Sequence, residues 1–328
     1  MFGKMMNRYY YGKSGKGDYT KEDLPQTRWQ LFWEMLRVRL SGLIRLNLMY
    51  AVAWLPAIIV IGRGLLLWYA GLANVADAQA QAAAGEMSAE ALAEMTLSYT
   101  QAVGAVAMQT FLLLVPCIAL TGPFTAGVAY VTRNWARDEH AFIWSDFIDA
   151  VKGNWKYGLL TGVITGFMPL LLYVCVTFYG EMAGSNPLFM IPQVICIVVG
   201  VMWMCSLMYM YPQIVTYRLN YRNLVRNSLM MTMGRLPMTV GLKLLSLVPW
   251  MIAALVALFT PYLQYALLGL GIYYIVIGFA LSRFVGASYA NAVFDRYINP
   301  NIEGAQIGRG LYHAEDDEDE EDDAPAGE

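Results

Sequence analysis

Long apolar runs alternate along this chain with short polar, mostly basic segments. The runs fall at about 43–71, 101–131, 157–179, 188–215, 239–260 and 262–285. Each is long enough to cross a hydrocarbon core about 30 Å thick at 1.5 Å per helical residue. The pattern predicts an all-α, polytopic membrane helical bundle with six transmembrane helices. The first run starts too late and is too long for the apolar part of a signal peptide, so it is expected to stay as an anchor.

Three polar segments carry a helical stripe of their own. In 28–44, Trp29, Phe32, Trp33, Leu36, Leu40 and Leu43 recur at spacings of three and four. In 142–156, Trp144, Phe147, Ile148, Val151 and Trp155 share a face opposite Asp149, Lys152 and Lys156. A weaker case is 221–236, with Leu224, Val225, Leu229 and Leu236. Such stripes suit interfacial amphipathic helices lying in the headgroup region. Their placement suggests a threefold parallel repeat of helix, span, span. The first span of each unit carries an internal proline: Pro56, Pro169 and Pro249. The segment 72–100 is Ala-rich, and Ser88 reads as an N-cap, so an exposed helical hairpin is expected there.

Charge orients the bundle. All but one of the 22 Lys and Arg residues fall in segments that share one side of a six-span topology. The exception, Arg63, lies near the outer end of span one and can snorkel. Lys and Arg accumulate on the cytoplasmic side, which places both termini in the cytoplasm. The chain is 58% hydrophobic and 14% charged, which leaves no room for a large soluble domain. Residues 1–25 read as a flexible basic arm, 26–300 as the membrane domain and 301–328 as a disordered acidic tail. Net charge is −3, but ten of the 25 acids lie between Glu315 and Glu328. The remainder is basic, and anionic lipid is its natural partner. No aromatic or motif context accompanies the basic residues, so nucleic-acid binding is not expected.

Candidate chemistry is sparse. Gly12-Lys13-Ser14 lacks the upstream glycine and strand of a phosphate loop. The four cysteines lie inside apolar runs without metal-ligand spacing, so neither disulfide, metal nor cofactor is expected. Arg63, Glu181, Lys243 and Arg283 all fall near span ends, leaving a neutral interior polar set: Gln109, Thr110, Thr161, Thr165, Gln193, Ser206, Ser246 and Gln264. Gly158, Gly162 and Gly166 form overlapping GxxxG steps, suited to close helix packing and, alternatively, to homo-oligomerisation. Carboxylates gather in the loop after span two, among basic residues, which suggests an ion-paired loop and not an acid/base site. The chain is not expected to be an enzyme.

That loop carries a resemblance. Gly122-Pro123-Phe124-Thr125-Ala126-Gly127, then Tyr130, Arg133 and Arg137-Asp138-Glu139-His140-Ala141-Phe142-Ile143-Trp144-Ser145-Asp146-Phe147, resembles the signature of the YesL-like family of bacterial integral membrane proteins of unknown function. Leu46-Asn47-Leu48-Met49-Tyr50, Asn154-Trp155-Lys156 and Phe294-Asp295-Arg296-Tyr297-Ile298-Asn299-Pro300 add to it. The resemblance implies a plasma-membrane protein, in the main of Gram-positive bacteria, encoded near carbohydrate-uptake and glycan-degradation genes. It transfers no catalytic or ligand residue. A non-enzymatic accessory or scaffold protein associated with carbohydrate uptake, partnering a carbohydrate ABC permease, is the leading expectation. Its candidate interaction loop comprises Arg133, Arg137, Asp138, Glu139, His140, Trp144, Asp146 and Phe147. The alternative is a transporter or channel for a neutral solute such as a sugar.

Overall fold

A computed structural model of the chain describes residues 24–260 and 262–312. Most of the expected basic arm, up to residue 23, and the acidic tail from residue 313 lie outside the described residues. Regular structure among the described residues is helical throughout. It comprises α1 (Arg28–Ala83), α2 (Ala89–Trp135), α3 (Ser145–Ala183), α4 (Met190–Thr216), α5 (Tyr221–Gly234), α6 (Leu236–Phe259), α7 (Leu263–Tyr273) and α8 (Phe279–Tyr297). A π-helical turn, Tyr274–Gly278, joins α7 to α8 into one long final span. Six segments are long and apolar enough to cross a membrane. The chain is therefore an all-α bundle of six apolar spans.

Helix starts follow local chemistry. Thr27 and Gln30 form a capping box: the Thr27 hydroxyl accepts from the Gln30 amide at 3.3 Å and the Gln30 side chain accepts from the Thr27 amide at 3.0 Å. Ser88 caps α2 by accepting from the Ala91 amide at 3.2 Å, and α1 and α2 form a hairpin around Gly85, whose φ of 77° suits a residue without Cβ.

The two longer stripes fare differently: 28–44 is not a separate helix, whereas 145–153 is a helix of its own, broken from span three. The first continues into span one, because no proline or capping glycine interrupts residues 28–55. Its buried side is also rotated from most of the expected stripe: Leu31 and Met35 are buried beside the expected Leu43, while Trp29, Trp33 and Leu40 face outward. The second ends at Asn154, whose backbone is not helical (φ −117°, ψ 15°) and whose side chain bonds the Ala150 carbonyl at 3.0 Å; span three starts beyond this kink. The third segment, 221–236, yields the separate helix α5, which buries Leu224, Ser228 and Thr232 along one side.

Close packing is concentrated at one end, here named the basic end, where Arg28, Arg133, Arg137, Arg235 and Arg309 meet their partners. The main core joins Leu31, Leu43, Leu46 and Tyr50 of α1 to Val128, Val131 and Trp135 of α2, and to Phe147 and Phe284. A second cluster sets Ala126 and Ala129 against Trp203, Met210, Tyr211 and Leu224. Towards the other end the helices carry mostly exposed apolar side chains, such as Leu66, Leu112, Ile195 and Leu258.

The glycine run on α3 packs against α2 within the same chain. A Cβ on Gly158 would stand 2.8 Å from the Pro123 Cα, one on Gly162 2.6 Å from the Ala119 carbonyl oxygen, and one on Gly166 2.7 Å from the Val115 carbonyl oxygen. Backbones approach this closely only where both sides are small. That face is thus consumed internally, and self-association would have to use another surface.

Candidate functional site

At the basic end the α2–α3 loop turns sharply. Trp135 and Asn134 carbonyls accept from the Asp138 and Glu139 amides, and Asp138 takes the left-handed region (φ 54°), which a short carboxylate side chain tolerates. The turn points the half-buried Glu139 inward. Its carboxylate lies 3.2 Å from Arg137 Nε, 3.2 Å from Arg309 Nε and 3.8 Å from Arg133 Nη1. Charge-assisted contacts of this kind, partly shielded from water, are stronger than surface pairs.

A second acid completes the network. Asp295, near the end of α8, pairs with Arg28 and accepts from the Asn299 side chain and, at 3.1 Å, from the Gly308 amide. Tyr217, just after α4, donates to Asn299 Oδ1 at 2.6 Å. Burial pushes the Tyr217 phenol up to about 12, against the opposing pull of the Arg133 guanidinium.

Residues 299–312 lie across this network as a strap. Arg137 donates to the Gln306 carbonyl at 3.3 Å, and the Tyr312 amide donates to the Pro25 carbonyl at 3.0 Å. Gly310 has φ 81°, and a Cβ there would meet the Arg137 carbonyl oxygen at 2.8 Å. The stretch 301–312, which falls at the start of the expected tail, is tied to the bundle at these points while most of its side chains stay exposed. Ile302–Leu311 carries few charges and holds glycines where the turns need them.

Of the residues singled out in the sequence, Arg133, Arg137 and Glu139 meet in the network. Asp138 is exposed, 3.9 Å from Arg39. His140 is exposed with its ring against Phe142, and Trp144 projects outward just before α3. Asp146 accepts from the Phe142 amide at 2.8 Å, and Phe147 is buried in the main core. Sequence reasoning missed Arg28, Tyr217, Asp295, Asn299 and Arg309. The motif Phe294–Pro300 was the available signal, since it holds both the acid and the amide.

Deeper in the same half lies a cavity of about 130 Å³ between α1, α2, α4, α6 and the last span. Its lining includes Tyr50, Trp54, Lys243, Ser246, Tyr274 and Arg283. This corrects the expectation that Lys243 and Arg283 merely end their spans and that the interior is neutral. Position along a helix fixes depth, but the helical face decides whether a side chain meets lipid or the bundle. The neutral polar set is largely spent on local bonds. Thr165 and Ser206 donate to the carbonyls of Thr161 and Trp203, Gln193 donates to Val176, and Gln109 accepts from Arg63 at 3.0 Å.

These features define a six-span helical membrane protein with a cross-braced basic end and a cation-lined cavity beneath it. Residues 102–175, which cover most of spans two and three and the loop between them, match the family described as protein of unknown function, DUF624. No curated protein and no solved structure matches the chain.

Proposed function

We propose that the chain is a non-enzymatic accessory protein whose basic end faces the cytoplasm and docks a partner of a carbohydrate-uptake system. The observation that carries the docking role is the rigid platform built on Glu139 and Asp295, with an exposed ledge of Asp138, His140, Phe142 and Trp144 beside it. Braced loops keep their shape without a partner, so binding to them costs little ordering entropy. The YesL-like resemblance supports the carbohydrate association, with a sugar ABC permease as the partner. The positive-inside bias supports the orientation. Affinity capture from mild detergent tests the reading. Sugar permease subunits should accompany the unaltered protein and be lost with Asp138→Lys combined with Trp144→Ala. Permease recovery no greater than with an unrelated six-span protein would end it.

A second reading, a solute pathway, draws support from the cavity, whose lining extends to Trp54 and Tyr274 about halfway along their spans. Its two cations argue for an anionic solute over a neutral sugar.

A further inference from the structure

Lys243 and Arg283 are the unusual members of the cavity wall. Intramembrane cations normally face a carboxylate or a water-filled site. Here, among the described residues, neither is paired with an acid. The charged neighbour of Lys243 is Arg283 itself, and the Arg283 guanidinium sits 5.4 Å from the centre of the Tyr211 ring. Two like charges share one small space.

The remaining polar wall holds two hydroxyls and an indole. Ser282 donates to Ser246 Oγ at 3.3 Å, and Ser246 donates to the Leu242 carbonyl at 3.0 Å. The Trp54 indole N–H is buried without an acceptor, its ring stacked on Phe279. Two cations and an unmet N–H, beside hydroxyls that can turn from their present acceptors, make a wall with donors to offer and no counter-charge.

Size and depth narrow the ligand. About 130 Å³ holds a few waters, each taking roughly 30 Å³ in the liquid, or one small oxyanion. Lys243 is seven residues into α6, about 10 Å along the helix from its basic end. A lysine stem spans much of that distance to the headgroup layer. The helix bearing it is also the most lightly packed of the spans, with only Thr239 and Ala253 buried. An opening beside α6 would admit a headgroup from the bilayer as readily as a solute from the aqueous side.

We propose that this cavity binds a phosphate-bearing anion, held by Lys243 and Arg283 and oriented by Ser246, Ser282 and the Trp54 indole. The two cations supply charge from different helices, so the anion ties α6 to the last span. This goes beyond the docking reading and stands independently of it: permease capture can fail while the anion binds, and the reverse.

The test uses the full-length protein purified in a neutral maltoside detergent. Its melting is followed with inorganic phosphate, with phosphatidylglycerol and with phosphatidylcholine. A saturable rise with inorganic phosphate supports the site and identifies a soluble source. A rise with phosphatidylglycerol, absent with phosphatidylcholine and with phosphate, supports the site and identifies a lipid headgroup. Either rise should need at least tenfold more ligand in Lys243→Met and in Arg283→Met, and return in Lys243→Arg. Because the cations repel each other, Lys243→Met should melt no lower than the unaltered protein without ligand. Ser246→Leu, which fills the cavity and leaves both charges, provides a second variant and should also weaken binding. No rise with phosphate or phosphatidylglycerol would overturn the proposal, as would a rise that persists unchanged in all three cavity variants.

Discussion

Replacing Asn47 with leucine tests whether the last span is held in its π-helical turn by span one. Asn47 is fully buried, and its amide is saturated. Its Nδ2 donates to the Tyr274 carbonyl at 2.9 Å and to the Ile275 carbonyl at 2.7 Å, while its Oδ1 accepts from the Ala280 amide at 2.8 Å. A π turn shifts the backbone ladder by one residue and leaves groups at its borders without their usual partners. Asn47 supplies those partners from another helix. Leucine has the same branched shape and is somewhat bulkier, so Asn47→Leu removes the three bonds without opening a void. At about 1 kcal/mol per bond, with more for each group stranded in an apolar setting, the loss is about 3 kcal/mol or greater. For a chain of this size that corresponds to a melting shift of roughly 4 °C or more. The assay is survival of the monodisperse gel-filtration peak after heating in maltoside detergent. Asn47→Asp sharpens it: the acceptor for Ala280 remains, but a carboxylate then faces two carbonyl oxygens, so it should be at least as damaging near neutral pH. An unchanged melting temperature in both variants would refute the bracing role.

Four further outcomes follow from the packing and charge. Gly158→Ala places a methyl group against the Pro123 backbone and should cost about 1–3 kcal/mol, whereas Gly241→Ala, with nothing within 4 Å, should be neutral or stabilising; paired melts decide. Glu139→Gln leaves three arginines without their shared counter-charge, and a loss of about 2 kcal/mol, discounted for the exposed Arg309, should appear as faster amide exchange in residues 299–312. The Tyr217 pKa is raised in the folded protein, so its contribution is complete below pH 10 and is lost as pH rises through about 12; Tyr217→Phe should remove that part of the alkaline melting profile. Glu86→Cys should label with an impermeant maleimide on intact cells and Glu303→Cys should not; labelling of position 303 from outside would reverse the orientation.

Span number was legible because the apolar runs are long and the turns between them polar. The hairpin at Gly85 was legible because Ser88 is followed by good helix formers. Helix ends were legible only in part: residues 28–44 and 142–156 show the same amphipathic period, yet the first runs unbroken into span one while the second breaks from span three at Asn154, a difference that period alone cannot reveal. The charged loop was recognisable from Arg133 to Asp146, but its other half comes from Arg28 and from Asp295 to Arg309, distant in sequence. The π turn left no trace, since Tyr274–Gly278 has ordinary span composition and only the apposed Asn47 explains it. Lys243 and Arg283 were read by depth alone, and the side of the helix they occupy emerges only from tertiary packing.

The joining of the first span to the last has a consequence for biosynthesis. Asn47 and the Ala280 amide it accepts from are 233 residues apart. At about 5–20 residues per second, span one waits roughly 12–47 s before its amide can meet that backbone. Arg28 waits longer still for Asp295. Until then the opening span holds a polar group in lipid with no native partner, and α2 to α6 must assemble around an unfinished seam. Completion of the last span is therefore the event that seals the bundle, and a chain stopped before residue 280 would leave the membrane with a half-made protein marked by its own unpaired asparagine.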